Sequence, residues 1–253
     1  MDGKQKNMLR PISIVTVTFD TVFFVRLLVE KVREFVGERA YEIIVVDRGS
    51  RDGTREWLSA QRDVRLLTAE PQKGGHEHGE AAEFGACEAR YEHIVLLDSD
   101  AHPMEANWLE LTVDRLDAHH RLAGAVFQGM HKDNPHGWYI HPHFMAFAKA
   151  DLGGAVVLRK TRGKDWDTGE AATVQVLAAG RGVIGYPLML CERFAVGHPH
   201  FPTVSAGVFH AWYGTRLTKE KRAVRRETEN IVTSASYGEP LQAKLREAYQ
   251  LDY

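Results

Sequence analysis

Residues His93–Pro103 read HIVLLDSDAHP. A short apolar run ends in two aspartates with one serine between them. The run has the length and β-branched content of a strand buried on both faces. Paired carboxylates at its end need either solvent or a ligand. If the strand continues, Asp98 and Asp100 stand at i and i+2 and project to one face. Both carboxylates then reach one hard cation, Mg2+ or Mn2+, with diphosphate oxygens completing the shell. The competing reading is structural: the pair caps a helix entering MEANWLE, with Asp100 as a turn former.

The residues upstream place this strand in a series. Ile12–Phe19 (ISIVTVTF) reads as a buried strand. Val22–Val36 carries Val25, Leu28, Val32 and Phe35 at helical spacing and closes at Gly37. Tyr41–Asp47 is a second strand, followed by the turn RGSRDGT and a short helix through Trp57 and Leu58. Val64–Leu67 is a third strand. The Gly-rich loop QKGGHEHG (72–79) precedes a helix expected over Glu80–Arg90, and His93–Leu97 is then the fourth strand. Strands alternating with helices predict an α/β fold: a mostly parallel central sheet flanked by helices on both faces, with right-handed crossovers. Ligands of such sheets bind beyond the carboxyl ends of the strands. Asp20, Asp47 and Asp98 all fall on that rim.

Downstream the pattern loosens. Trp108–Leu116 is expected to be helical, AGAVFQG (123–129) a strand, and Met130–His143 irregular, punctuated by Asn-Pro, His-Gly and His-Pro. FMAFAK (144–149) and GGAVVLRK (153–160) read as short strands or loops. Ala171–Ala179 reads as a helix ending at Gly180, and GVIGYPLML (182–190) as a strand with a proline stop. The tail from Lys219 is charged and reads as helical. There is no repeat, low-complexity tract or linker. A single domain over 1–253 is expected, with a nucleotide-type half (12–100), a second half (101–216) and a helical tail (217–253).

Bulk properties exclude several classes. The 253 residues are 44% hydrophobic and 26% charged, with a formal charge of −2, so no basic field points to nucleic acid. Cys87 and Cys191 form no C-x-x-C pair, which argues against a zinc site of common spacing and against a disulfide framework. MDGKQKNMLRP has no apolar signal core, and no apolar run approaches the roughly 20 residues of a membrane span. A cytoplasmic location is expected.

Other residues carry candidate chemistry. Asp47 can accept an N–H from a ligand base or simply form its turn. Asp52-Gly53-Thr54 reads as a turn and helix start. The KGGHEHG loop suits phosphate at a helix N-terminus, but it is neither G-x-G-x-x-G nor a P-loop. His76, His78 and Glu80 lack a matched ligand set for zinc; a loop histidine beside a diphosphate is the better reading. In DWDTGE, one of Asp165, Asp167 and Glu170 can be a general base, or the three can complement a helix dipole. His210, in FHAWYGTR, stands among aromatics that are either core or a sugar-stacking wall, with Arg216 nearby. KEKRAVRR (219–226) is a solvated face, or a contact for a membrane surface or an anionic acceptor.

Taken together, these motifs resemble family-2-type glycosyltransferases of GT-A fold. SIVTVTFD (13–20) resembles that family's first strand. VVDRGSRDGT (45–54) resembles its VVDDGSxDGT, with Arg48 in place of the second aspartate. DSD (98–100) matches the metal-binding D-x-D, and HGEAAEFG resembles a His-Gly variant found in some bacterial members. DTGEAATVQVLAAGRGVIGYPL (167–188) resembles the acceptor-side helix without the usual Glu-Asp pair, and FHAWYGTR resembles the C-terminal His-aromatic stretch.

The resemblance implies a nucleotide-diphosphate sugar as donor and a divalent metal, Mn2+ or Mg2+, as cofactor. Transfer would go to a saccharide, natural-product or lipid-linked acceptor, with inversion. It implies that Asp47 binds the base and that Thr18 and Phe19 line its pocket beside Asp20. His78, Asp98 and Ser99 would meet the donor. Asp100 would be the firmer metal ligand, with His210 a second ligand or a diphosphate contact, and Asp167 the base. The segment Asn134–His143 is expected to order over the donor. Alternatives are a non-catalytic or degenerate sugar-nucleotide or carbohydrate binder and a D-x-D phosphatase. The phosphatase normally carries its motif on the first strand and a Thr or Val where His102 stands. Peripheral membrane contact and oligomerisation remain open partners.

Overall fold

The computed structural model describes residues 9–69, 77–129, 132–158, 166–194, 202–212 and 234–253. Its elements run β1 (Ile12–Thr18), α1 (Val22–Phe35), β2 (Tyr41–Asp47), α2 (Thr54–Ser59), β3 (Val64–Thr68), α3 (Glu77–Cys87), β4 (His93–Leu97), β5 (Ala101–Pro103) and α4 (Trp108–Leu111). They continue with β6 (His120–Gln128), β7 (Trp138–Ala148), α5 (Glu170–Ala178), β8 (Gly182–Tyr186), β9 (Met189–Leu190), β10 (Thr203–Ser205), β11 (Val208–His210) and α6 (Ser234–Tyr249).

The central sheet has the order β3-β2-β1-β4-β7-β6-β8. The β3-β2-β1-β4 half is parallel throughout, as the strand–helix alternation predicts. β7 then runs antiparallel to β4 and to β6, and β8 returns parallel to β6. Side-chain alternation divides the core in two. Ile12, Ile14, Ile43, Val45, Val95 and Leu97 pack with Val25, Leu28 and Val32 of α1 on one face. Val15, Val17, Ile44, Val46, Ile94 and Leu96 pack with Ala82 and Ala86 of α3 and with Ala172 and Val176 of α5 on the other. This period-2 partition explains why the strands read as continuous apolar runs: both faces are covered. α3 lies close enough that a Cβ on Gly85 would meet Val15 Cγ1 at 2.6 Å and Val46 Cγ2 at 2.8 Å.

A second, antiparallel sheet has the order β5-β11-β10-β9. It pairs His210 with Ala101 and Phe209 with His102. A third core joins it to α1 and α6 through Phe23, Phe24, Leu27, Phe194, Phe209, Leu241 and Leu245. Among the described residues, no helix is long and apolar enough to cross a membrane.

Four expectations need correction. The helix over Trp108–Leu116 is broken: α4 stops at Leu111, and a 3-10 turn covers Val113–Arg115. Thr112 makes the break, turning its Oγ1 onto the Trp108 carbonyl at 2.8 Å with φ −120° and ψ −79°. The α3 helix begins and ends about one turn earlier than Glu80–Arg90. The irregular reading of Met130–His143 fails from residue 138 on, because Trp138–Ala148 is one long strand. Pro142 is tolerated there because the β6–β7 register shifts between Gly124 and Val126, leaving residues 141–143 outside the ladder with β6. The expected lid over Asn134–His143 is therefore largely sheet, with Asn134 and His143 buried. Of the expected tail helix, only residues from 234 on lie within the described part.

Candidate active site

The rim begins where β4 ends. The strand does not continue through Asp98 and Asp100. A turn, with Ala101 N–H on the Asp98 carbonyl at 2.9 Å, folds the two carboxylates towards each other instead. The chain then enters β5, whose pairing with β11 delivers His210 to the same point, and Ala211 N–H donates to the Asp100 carbonyl at 3.0 Å. His210 Nε2 lies 3.3 Å from Asp100 Oδ1 and 3.7 Å from Asp98 Oδ2. One ligand atom from each of Asp98, Asp100 and His210 falls within 4.8 Å of the others. Two buried or half-buried carboxylates this close repel unless a cation lies between them. A hard oxygen pair with one imidazole suits Mn2+ or Mg2+, so the donor set fits a divalent ion.

Histidines surround the cluster. His78 Nε2 is 3.2 Å from Asp98 Oδ1. Burial opposes charge on this imidazole, but the hydrogen bond and charge of Asp98 outweigh it and raise its pKa. Burial likewise opposes ionisation of Asp98, yet His78, then His210 and His141, hold it below the ordinary carboxylate range. His141 and His143 were missed in the sequence because they stand in the stretch read as irregular. The i, i+2 spacing of Tyr139, His141 and His143 is the strand signal that was available. His143 stacks on His210 with ring centroids 4.2 Å apart and planes 6° from parallel. The backbone N–H of His143 points at His141 Nδ1 (3.2 Å), and so does His143 Nδ1 (2.8 Å). His141 Nδ1 is thus the acceptor and its proton rests on Nε2, 3.8 Å from Asp167 Oδ2. Burial, partly opposed by Asp98, pushes the His141 pKa down to about 4.

Asp167 lies next to His141, its side chain 58% exposed. Tyr139 Oη donates to its Oδ2 at 2.8 Å, and Thr168 N–H to its Oδ1 at 2.8 Å. Burial and then the Asp167 charge raise the Tyr139 pKa, so the phenol keeps its proton. Glu170 is different. It is buried, accepts from Asn134 Nδ2 at 2.8 Å, and takes the Asp167 N–H on its other oxygen at 3.3 Å. Both Glu170 oxygens are thus engaged within the chain, whereas Asp167 is the exposed carboxylate of the two. Asp165, His76, Arg216 and KEKRAVRR lie outside the described residues.

The remaining rim residues shape a separate corner. Asp47 is fully buried, and its carboxylate accepts the N–H groups of Gly49 (3.0 Å) and Ser50 (3.2 Å). Asp20, at φ +51°, takes the Arg51 N–H on Oδ1 at 2.7 Å and donates its own N–H to Ser50 Oγ at 2.9 Å. Thr18 Oγ1 and Thr21 Oγ1 share a hydrogen bond of 2.7 Å. Asp52 ties the corner to two helices, accepting Val22 N–H at 2.8 Å and Thr54 N–H at 3.1 Å. A cleft of ≈ 330 Å³ is lined by Asp98, Ser99, Asp100 and His210 together with His141 and Asp167. Thr18, Asp20 and Asp47 are not among the residues lining it; they stand at or just beyond the carboxyl ends of β1 and β2.

Residues 13–177, more than half of the chain, match the family model described as glycosyl transferase family 2. No curated protein matches the chain. Among solved structures, the mannosyltransferase PcManGT of Pyrobaculum calidifontis, in complex with GDP-Man and Mn2+, is similar at TM-score 0.53 and 21% identity. That match covers 70% of this chain and 54% of the other. TarS 1-349 of S. aureus is similar at TM-score 0.51 and 16% identity, over 70% and 58% of the two chains. Glucosyl-3-phosphoglycerate synthase of Mycobacterium tuberculosis, in complex with Mn2+, UDP and glucosyl-3-phosphoglycerate, is similar at TM-score 0.51 and 15% identity, over 70% of each chain. The chain spans little more than half the length of the first two. The common feature is the fold, the mixed α/β sheet of GT-A glycosyltransferases.

Proposed function

The chain belongs to glycosyl transferase family 2, and on that premise we propose that it transfers a sugar from a nucleotide-diphosphate donor to an acceptor hydroxyl, with inversion, and with Mn2+ or Mg2+ at the rim. The observation that carries this reading is the convergence of Asp98, Asp100 and His210 in a cleft that the exposed Asp167 also lines. Asp100 and His210 would hold the ion, with Asp98 beside them. When bound, the ion supplies positive charge against a leaving diphosphate. His78, whose Nε2 lies 3.2 Å from Asp98 Oδ1, presents a further donor to the diphosphate, and Ser99 lines the cleft with it. Thr18, Phe19, Asp20 and Asp47 form the nucleoside corner. Because Asp47 accepts from Gly49 and Ser50, it contributes chiefly by fixing the backbone that the base meets.

Asp167 acts as general base. Its carboxylate has two fixed donors, Tyr139 Oη and Thr168 N–H, and retains lone pairs for a third. It takes the proton of the acceptor hydroxyl as that oxygen bonds to the anomeric carbon. The bond from that carbon to the diphosphate oxygen breaks, and the nucleoside diphosphate leaves with the electron pair. The chain's own contribution is to hold the acceptor oxygen and the donor in line. The family match leaves the phosphatase alternative without support, while Arg48 remains the feature that favours a non-catalytic donor binder.

The test is single-turnover transfer after screening nucleotide sugars for release of nucleoside diphosphate. Asp167→Asn should slow transfer by about 10²–10⁴-fold while donor affinity is preserved. An unchanged rate would remove Asp167 from the mechanism. Tight donor binding by the wild-type protein without any turnover would establish the non-catalytic reading.

A further inference from the structure

Resting on the transferase reading, we propose that Phe127 and Trp212 form a stacking platform that selects an uncharged sugar ring as acceptor. Both side chains are partly exposed and line the cleft, their ring centroids 5.1 Å apart and their planes 40° from parallel. Each is held in place from behind. The Phe127 ring meets Tyr139 edge-on at 5.9 Å and His141 at 5.2 Å. Trp212 donates Nε1–H to Thr203 Oγ1 at 2.8 Å and packs on His210 at 4.5 Å. The Trp212 backbone has φ +64°, a region that bulky residues avoid and that persists where surrounding contacts enforce it, often at ligand sites.

Position identifies the occupant. Tyr139 touches the Phe127 ring and donates to Asp167, so the platform lies one side chain away from the base. A ring resting on Phe127 therefore presents a hydroxyl to Asp167, while the donor is anchored at the Asp98–Asp100–His210 cluster by its diphosphate. Charge narrows the class. The described lining carries Asp98, Asp100 and Asp167 and no Lys or Arg. A cation would offset the first two carboxylates, whereas Asp167 meets an imidazole, His141 Nε2 at 3.8 Å, and no Lys or Arg of that lining. A phosphorylated or carboxylated acceptor would meet like charge there. A pyranose with its C–H face on the aromatic rings and its hydroxyls at the edge suits both features.

The experiment measures binding by saturation-transfer NMR and titration calorimetry in the presence of Mn2+ and UDP or GDP. The probes are a panel of methyl pyranosides, their 6-phosphates and a simple aromatic alcohol. The variants are Phe127→Leu, which keeps apolar bulk without a flat ring, and Phe127→Tyr, which keeps the ring. At least one neutral pyranoside should bind, more tightly than its 6-phosphate. It should bind about five- to tenfold more weakly to Phe127→Leu, with near-normal affinity for Phe127→Tyr, and nucleoside diphosphate affinity should not change. Binding of no neutral pyranoside, preference for the phosphate or the aromatic alcohol, or an indifferent Phe127→Leu overturns the proposal. Failure of the protein to bind either nucleoside diphosphate with Mn2+ strikes the transferase reading instead.

Discussion

His210 is aimed by a ring to which it makes no hydrogen bond. The parallel stack with His143 fixes its plane, and the His143 orientation is fixed in turn by His141. His143 Nε2 and His210 Nδ1 are buried without a hydrogen-bond partner, so stacking and backbone placement orient both rings. Residues that orient a metal ligand typically contribute 10–100-fold to metal affinity. His143→Ala should therefore weaken Mn2+ binding by about 10-fold or more by calorimetry, and His143→Phe, which keeps a flat ring, should recover most of it. Equal affinities in all three proteins would refute the stacking role. The aspartates were legible in the sequence because a D-x-D after an apolar run is a local pattern. Their meeting with His210 was not legible from spacing, since more than a hundred residues separate them and only the β5–β11 register joins them. Resemblance alone suggested that pairing. His141 and His143 were hidden by Pro142, whose usual meaning is a break.

Elements upstream of Asp98 follow their sequence closely because the inner strands β1, β2 and β4 are buried on both faces and the helices that cover them are amphipathic or small-faced. Past Asp98 the strands change direction, and local pattern no longer identifies partners. The β6–β7 pair shows why. Gly124 has φ +151°, and a Cβ there would collide with the Phe144 carbonyl oxygen, so the register shift depends on the missing side chain. That shift permits Pro142 inside β7, where His141 lines the cleft and Tyr139 and His143 are buried beside it. Gly124→Ala should lower stability by about 1–3 kcal/mol in urea denaturation. A midpoint equal to wild type would show that the bulge tolerates a side chain. The break at Thr112 has the same character: one hydroxyl competing for a carbonyl decides a boundary that hydrophobic periodicity cannot see.

At the scale of the whole molecule, the two sheets meet at the Asp98–Asp100–His210 cluster. The parallel half brings Asp98 and Asp100, and the small antiparallel sheet brings His210. α6 clasps that second sheet to α1. Tyr249 Oη lies 3.1 Å from His102 Nε2, and Tyr253 Oη donates to Glu30 at 2.6 Å. Burial, with Lys31 adding, pushes the His102 pKa down to about 3, so the imidazole in this contact is neutral. The site is thus a property of the assembled chain, which is why composition and charge pointed to no ligand.

The central claim is that Asp98, Asp100 and His210 hold a divalent cation that in turn holds a nucleoside diphosphate. Calorimetric titration of UDP and GDP into the full chain, with Mn2+ or with excess EDTA, tests it most directly when repeated on Asp100→Ala. At least one nucleoside diphosphate should bind with Mn2+, and its affinity should fall by about 100-fold or more in EDTA and in Asp100→Ala. Equal affinity with Mn2+, with EDTA and in Asp100→Ala would contradict the account.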